Sequence, residues 1–261
     1  MLFRSDYLIA DQFVAPSNLQ DGFAEKLVYL PGSYQANDRD RPVADDRPTR
    51  ARCGLPDDAF VFCSFNAAYK IAPTVFDIWV RLAKAVPRAV LWVFADNAWA
   101  ESNLRREAQA RGLSPERLVI AGKLPLPDHL ARQPLADLFL DTVPVNAHTT
   151  ASDALWMGLP VLTCAGRSFA ARVAGSLLHA VGLPELVTEN LDDYERLALR
   201  LATSPGELAT LRAKLARNLP DAPLFDAART TRHIERAYER MWEIYRRGEA
   251  PRSLTVDPLP S

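Results

Sequence analysis

From Pro48 onward, short continuous apolar runs alternate with amphipathic stretches. Strand-like runs fall at Phe60–Phe65, Ala89–Phe94, Leu118–Ala121, Leu138–Leu140 and Val161–Cys164. Each is too short for a helix and unbroken by polar residues, the pattern of strands buried on both faces. Between them the spacing turns helical. Pro73–Val86 places Phe76, Trp79, Ala83 and Val86 on one face, with Pro73 suited to the first turn. Ala100–Arg111 stops before Gly112 and Ser168–Val181 before Gly182, where a left-handed residue can close a helix. The alternation predicts a parallel sheet with helices on both faces, an α/β, Rossmann-like lobe over residues 46–248.

The two ends break this rhythm. Asp6–Ala10 and Lys26–Leu30 look like short strands, separated by a polar loop with Pro16 and Asn18. Gln35–Thr49 is rich in Asp, Arg and Pro and reads as a linker. Residues 1–45 are too few for a domain and are expected to be the tail of another lobe. The last third is helical: Leu191–Thr203, then a helix from the capping-box spacing Ser204-Pro205-Gly206-Glu207 to about Leu219. Asp226–Arg246 carries Ile234, Tyr238, Met241 and Tyr245 at three- and four-residue spacing. Residues 249–261, Pro-rich from Pro251, are expected to be loose. No repeat with a period of ~34 residues is visible.

A chain of 261 residues can bury one large core or two modest ones. Its formal net charge of −1 gives no electrostatic case for nucleic acid or an anionic membrane as partner. Cys53, Cys63 and Cys164 lack metal-ligand spacing and read as buried thiols in a reducing compartment. No apolar run approaches the ~18 residues of a spanning helix. The opening Met1–Asp6 turns polar too soon for a signal peptide, so a cytoplasmic location is expected. His129, His148, His179 and His233 are scattered without an HExxH pattern, and no metal is expected. His179 and His233 fall in helical patterns and read as structural. A Gly-x-Ser-x-Gly nucleophile elbow is absent, which disfavours a Ser-His-Asp hydrolase.

Three segments could carry chemistry. Asn146–Pro160 follows the Leu138–Leu140 strand and an Asp141-Thr142-Val143-Pro144 turn, and offers a histidine and two hydroxyls where a helix should begin. A helix start has unpaired N–H groups and partial positive charge, so it can hold phosphate. Thr149 and Thr150 add hydroxyls, and Asp153 can accept from a sugar hydroxyl. Seen alone, Thr149 or Ser152 would more often be a plain helix cap. Phe62–Ile71 ends a strand with Lys70, able to neutralise a leaving diphosphate, although an isolated lysine there is more often simply solvated. His129 and Arg132 lie three apart: an imidazole can stack on a nucleobase and a guanidinium can donate to its carbonyls, where the plainer reading is a surface pair. In parallel sheets ligands bind at the carboxyl ends of strands, where Asn66–Lys70, Lys123–His129 and Asn146–Asp153 would meet.

Together these motifs resemble the TPR-linked O-GlcNAc transferase family, including its SPINDLY-like members. The likeness rests on Asn-Ala-His-Thr-Thr-Ala-Ser-Asp-Ala-Leu-Trp-x-Gly-Leu-Pro from Asn146 and on Phe-Asn-x-x-Tyr-Lys-Ile from Phe65. It rests also on His129-x-x-Arg132 followed by Leu135-Ala136-Asp137, on Ser168–Ala174 and on Met-Trp-Glu-x-Tyr at Met241–Tyr245. It extends from about Tyr7 to about Gly248. The resemblance implies a two-lobed GT-B enzyme that transfers GlcNAc from UDP-GlcNAc, with inversion, to Ser or Thr of a protein, and no cofactor beyond that donor is expected. It implies that Lys70 is catalytic at the diphosphate, that His148, Thr149 and Thr150 hold that diphosphate, and that Asp153 takes the ribose. His129 and Arg132 would recognise uracil, and Asn66 and Leu124 would complete the donor site. Three positions depart from the pattern: Ala67 where animal members carry glutamine, Leu126 where a lysine is found, and Gly32 where some relatives have histidine. The resemblance also implies a whole donor lobe but only the end of the acceptor lobe, whose histidine, like the TPR superhelix, would lie upstream of Met1. The expectation is therefore nucleotide binding with negligible transfer by the chain alone, and self-association or a partner through the exposed lobe face. A catalytically inactive nucleotide-sugar-binding fragment and a relative using GDP-fucose are the alternatives.

Overall fold

Six parallel strands make the central sheet. In chain order they are β3 (Val61–Ser64), β4 (Val90–Phe94), β5 (Leu118–Ala121), β6 (Leu138–Leu140), β7 (Val161–Cys164) and β8 (Val187–Thr188), and in space they run β5-β4-β3-β6-β7-β8. The computed structural model describes residues 5–259; the leader reading of Met1–Arg4 lies outside the described residues. Every residue of β3, β6 and β7 is buried, which is why these strands are continuous apolar runs and not alternating ones. Helices α1 (Pro73–Ala85), α2 (Ala98–Ala110), α3 (Leu126–Arg132), α4 (Thr149–Trp156) and α5 (Val173–Ala180) connect them, and α6 (Leu191–Thr203) and α7 (Pro205–Asn218) follow. The order reverses between β3 and β6, paired Phe62 to Leu138 and Cys63 to Phe139. A crevice opens outside the carboxyl ends at such a reversal, the position favoured for ligands in doubly wound sheets. The α/β, GT-B-type reading holds.

A second sheet is smaller. β1 (Tyr7–Ala10) and β2 (Lys26–Tyr29) pair in parallel, and β9 (Leu254–Thr255) adds to β2 through Val28–Leu254 and Tyr29–Thr255. The expectation of a loose tail after Pro251 is thus corrected. Leu254 and Val256 are buried against Val28, Leu30, Ala237 and Ile244, the last two from α8 (Ala227–Arg246). Two apolar residues spaced by one are too brief a pattern to stand out between prolines.

Asp11 ties this sheet to the main lobe. Its carboxylate accepts from the backbone N–H groups of Val14 (2.8 Å) and Tyr34 (3.0 Å) and from the Ser176 hydroxyl on α5 (2.5 Å). Phe13 stacks by His179 and lies over Gly175, where an added Cβ would come within 2.3 Å of its ring. Only glycine permits that approach.

Two further expectations change. Ser204 stands before α7 without a side-chain cap bond, and Glu207 pairs instead with Arg200 at 3.1 Å, so the capping-box reading fails. Asn97, Asn190 and Asp226 supply the side-chain caps of α2, α6 and α8. Residues 35–49 do not hang free as a linker. Asn37 donates to the Leu224 carbonyl (3.3 Å), Arg39 to the Phe225 carbonyl (3.2 Å), and the Ala44 N–H to the Pro127 carbonyl (3.1 Å). The segment is a strap from the α8 end to α3.

Candidate functional site

The crevice between β3 and β6 is organised by a residue that sequence reasoning passed over. Asp141, fully buried just beyond β6, accepts from the N–H groups of Thr142 (2.7 Å) and Ala147 (2.6 Å), from the Asn66 amide (3.2 Å) and from the Thr163 hydroxyl (2.6 Å). Burial pushes its carboxyl up to about 6, with those four donors pulling the other way. It fixes the turn that delivers the Asn146–His148 backbone to the start of α4. A lone carboxylate in a turn carries no sequence signal beyond its place in the Asp141-Thr142-Val143-Pro144 turn.

Asn66, at the end of β3, is buried and wholly engaged. Its Nδ2 also donates to the Thr142 hydroxyl (2.9 Å), and its Oδ1 accepts from the Thr150 hydroxyl (2.6 Å). Its place is to brace the site. Thr150 therefore spends its proton inside the protein, whereas Thr149 is exposed. The Thr149 or Ser152 cap reading fails, because His148 is the N-cap residue and no side chain caps α4. Ala151 and Ser152 donate their N–H groups to the His148 carbonyl, each at 3.1 Å, while those of Thr149 and Thr150 have no partner among the described residues and remain available for an anion.

Lys70 ends a 3-10 turn after β3 and donates from Nζ to the Asn146 carbonyl at 3.0 Å. It is half-buried; burial lowers its pKa and Asp141 opposes the fall. The lysine thus stands beside the residue that leads into α4. His148 follows, its Nε2 buried without a partner among the described residues. Burial and then Lys70 lower its pKa, which favours the neutral ring.

His129 and Arg132 are joined as predicted by their spacing, but not as a surface pair. Arg132 is buried, its Nη1 donating to the Gly122 carbonyl (2.8 Å) and its Nη2 lying 2.7 Å from His129 Nδ1. Its guanidinium sits over Phe65 at 5.0 Å. An arginine turned inward this way holds the imidazole and the β5 exit loop, so the reading of a guanidinium donating to a base carbonyl is not what this conformation presents. Burial, Arg132 and Arg41 drive the His129 pKa down to about 4, so the ring is neutral at pH 7. With Nδ1 accepting from Arg132, the proton rides on Nε2, and the Gln133 amide 2.9 Å away pairs with it when turned so that its Oε1, otherwise buried without a partner among the described residues, accepts. Both nitrogens are engaged, and the ring face is what remains for a base to stack on. Leu124 and Leu126 line the exit of β5 and are exposed.

Asp153 is ion-paired with Arg41 of the strap, an arrangement no local pattern could reveal. Burial raises its pKa and Arg41 counters the rise. Gln35 reaches Ser152 Oγ on the same helix at 3.4 Å. Ala67, where the resemblance places glutamine, lines a hollow of about 530 Å³ beside the crevice, floored by Ile71, Phe76 and Leu104. His179 bonds the Gly175 carbonyl and His233 is buried in α8, both as structural histidines.

Asp38-Arg39-Asp40 gives the chain a spaced carboxylate pair, but both acids are exposed and the Asp40 N–H donates to the Asp38 carboxylate. Among the described residues no three His, Cys, Asp or Glu gather to hold a metal, and no helix is long and apolar enough to cross a membrane.

Residues 40–234 match the family model for glycosyl transferase family 41. The chain belongs to this family. It is 37% identical over 257 residues to the probable UDP-N-acetylglucosamine–peptide N-acetylglucosaminyltransferase SEC of Arabidopsis thaliana, covering 96% of this chain and 26% of that protein. A Caenorhabditis elegans UDP-N-acetylglucosamine–peptide N-acetylglucosaminyltransferase is 36% identical over 231 residues, 88% of this chain and 20% of that one. Among solved structures, a mutant of the Thermobaculum terrenum O-GlcNAc transferase superposes with a TM-score of 0.80 at 37% identity, covering 91% of this chain and 45% of its own. The chain thus spans about a quarter or less of the length of these two curated relatives and under half of the solved one.

Proposed function

We propose that this family 41 chain is the donor-nucleotide half of a UDP-GlcNAc-dependent protein O-glycosyltransferase. The carrying observation is the convergence at the switch point: Lys70 Nζ at the Asn146 carbonyl and the uncapped first turn of α4, held together by the Asn66–Thr150 bond. In glycosyl transfer the anomeric carbon gains the acceptor oxygen as its bond to the diphosphate breaks, and negative charge grows on the departing UDP. A lysine cation and a helix start aimed at one spot stabilise that charge more in the transition state than before it, which is what lowers the barrier. His129 supplies a neutral ring face for the base, and Asp153 an acceptor for the ribose. The names of the relatives support GlcNAc as the sugar and a peptide as acceptor. The acceptor side lies outside the three segments gathered here.

Calorimetric titration with UDP, UDP-GlcNAc and GDP-fucose tests this reading. UDP and UDP-GlcNAc should bind and GDP-fucose should not. Tighter binding of GDP-fucose than of UDP-GlcNAc would turn the assignment over.

A further inference from the structure

Arg41 lies 24 residues before Phe65, where the nearest donor-site motif begins, in a stretch whose composition suggested only a linker. Its side chain is nonetheless only 11% exposed, and it ion-pairs with Asp153 Oδ1, a carboxylate 6% exposed on the second turn of α4. Its charge also acts on His129 of α3. The guanidinium therefore touches the carboxylate proposed for the ribose and lies within electrostatic reach of the ring proposed for the base. Its Nη1 is buried with no partner among the described residues, a donor left over after the ion pair is made. The strap cannot drift from this place easily: Asn37 and Arg39 anchor one side on Leu224 and Phe225, Gln35 touches Ser152, and Ala44 fastens the other side to Pro127.

We propose that Arg41 is the positioning residue of the ribose subsite, holding the Asp153 carboxylate by Oδ1 so that Oδ2 is presented to the sugar hydroxyls. This rests on the donor reading above. A carboxylate this buried is costly to keep charged without a cation in contact. Without Arg41 it would lose both its orientation and its reason to stay ionised, and a protonated or rotated acid is a poorer acceptor for two vicinal hydroxyls. The strap is then a wall of the nucleotide pocket, contributed by residues that precede the Rossmann-like lobe in sequence.

The test compares UDP with 2′,3′-dideoxy-UDP in calorimetric titrations of the 261-residue chain and of Arg41→Met, Arg41→Lys and Asp153→Asn. In the unaltered chain, loss of both hydroxyls should weaken binding about tenfold or more, the scale of hydrogen bonds to a charged group. Arg41→Met should lower UDP affinity while leaving dideoxy-UDP affinity within about twofold, so that the preference for the ribose collapses as it does in Asp153→Asn. Arg41→Lys, which keeps the cation, should keep part of that preference. Retained dideoxy-UDP binding also shows that the variant is folded. An unchanged preference in Arg41→Met overturns the proposal, as does an equal loss for both ligands, which a merely structural arginine would give. Tighter UDP binding by Arg41→Met overturns it too, since the strap would then be an obstruction. Failure of the unaltered chain to bind UDP defeats the donor reading and this inference with it, whereas UDP binding with an unmoved preference defeats this inference alone.

Discussion

Thr150 donates its hydroxyl to the Asn66 side-chain carbonyl at 2.6 Å and so bolts the first turn of α4 to the end of β3 across the switch point. The same asparagine donates to Asp141 and Thr142, which set the turn after β6. One amide thereby sets the distance between the lysine side of the crevice and its helix side. The pre-positioning matters because a charge-stabilising site works only if its dipoles need not reorganise as charge develops.

Replacing Thr150 with Val keeps the shape of the side chain but leaves Asn66 Oδ1 buried and unpaired. The expected cost is about 1–3 kcal/mol of stability, the penalty for an orphaned buried acceptor. Thr150→Ser, which retains the hydroxyl, should recover most of it. Urea unfolding of the two variants checks this; equal stabilities would mean that the bond braces nothing.

Lys70→Met should weaken UDP binding by on the order of 1.5–3 kcal/mol, the range for a hydrogen bond to a charged group, and leave uridine binding unchanged. The lysine sits beside the α4 start, so its loss should be felt by the diphosphate and not by the base. Thr149→Ala should act in the same direction more weakly. Calorimetry with the two ligands separates the outcomes, and an equal loss for uridine and UDP would remove Lys70 from the diphosphate.

Asp141 makes a pH prediction. Its folded pKa of about 6 lies above the ordinary 3.8, so through that window the folded state holds a proton that the unfolded chain has released. Stability from this group is therefore present at low pH and lost as pH rises through about 6. His129, depressed to about 4 from 6.5, works oppositely: its contribution grows as pH rises through the same window. The two nearly mask one another in the unaltered protein. Asp141→Asn removes one of them, so its stability relative to the unaltered chain should improve by about 2 kcal/mol between pH 4.5 and 7.5. Hydrogen bonds lost to the substitution cancel in that difference. Urea titrations at the two pH values measure it, and a constant gap would contradict the buried, high-pKa carboxyl.

The five strands from β3 to β7 were legible because burial on both faces forces unbroken apolar runs, and the turn chemistry of Gly112 and Gly182 marked the ends of two helices. The crevice followed from strand ends. What escaped was whatever depends on distant partners. Arg41 and Asp153 meet across more than a hundred residues, and the strap's Asp, Arg and Asn residues look like solvated linker until their acceptors on α3, α4 and the residues before α8 are in place. Asn66 was legible as part of a motif but not as a brace, and Arg132 as a neighbour of His129 but not as a buried one. Patterns report which residues gather; only packing decides which way a side chain turns.

Growing charge on a departing diphosphate must be met by something, and many sites meet it with a divalent cation held by carboxylates. The carboxylates of this crevice are otherwise occupied: Asp141 is saturated by four donors and Asp153 is paired with Arg41. Lys70 and the α4 N-terminus supply the positive potential in its place. UDP affinity should therefore be the same, within about twofold, in EDTA and in millimolar magnesium or manganese, a tolerance well under the tenfold that one charge-assisted contact is worth. The Lys70→Met variant sharpens the test, since a cation site elsewhere in the crevice would let added metal rescue its UDP binding. Loss of binding in EDTA, or metal rescue of Lys70→Met, would show that the diphosphate is neutralised by an ion and not by the lysine.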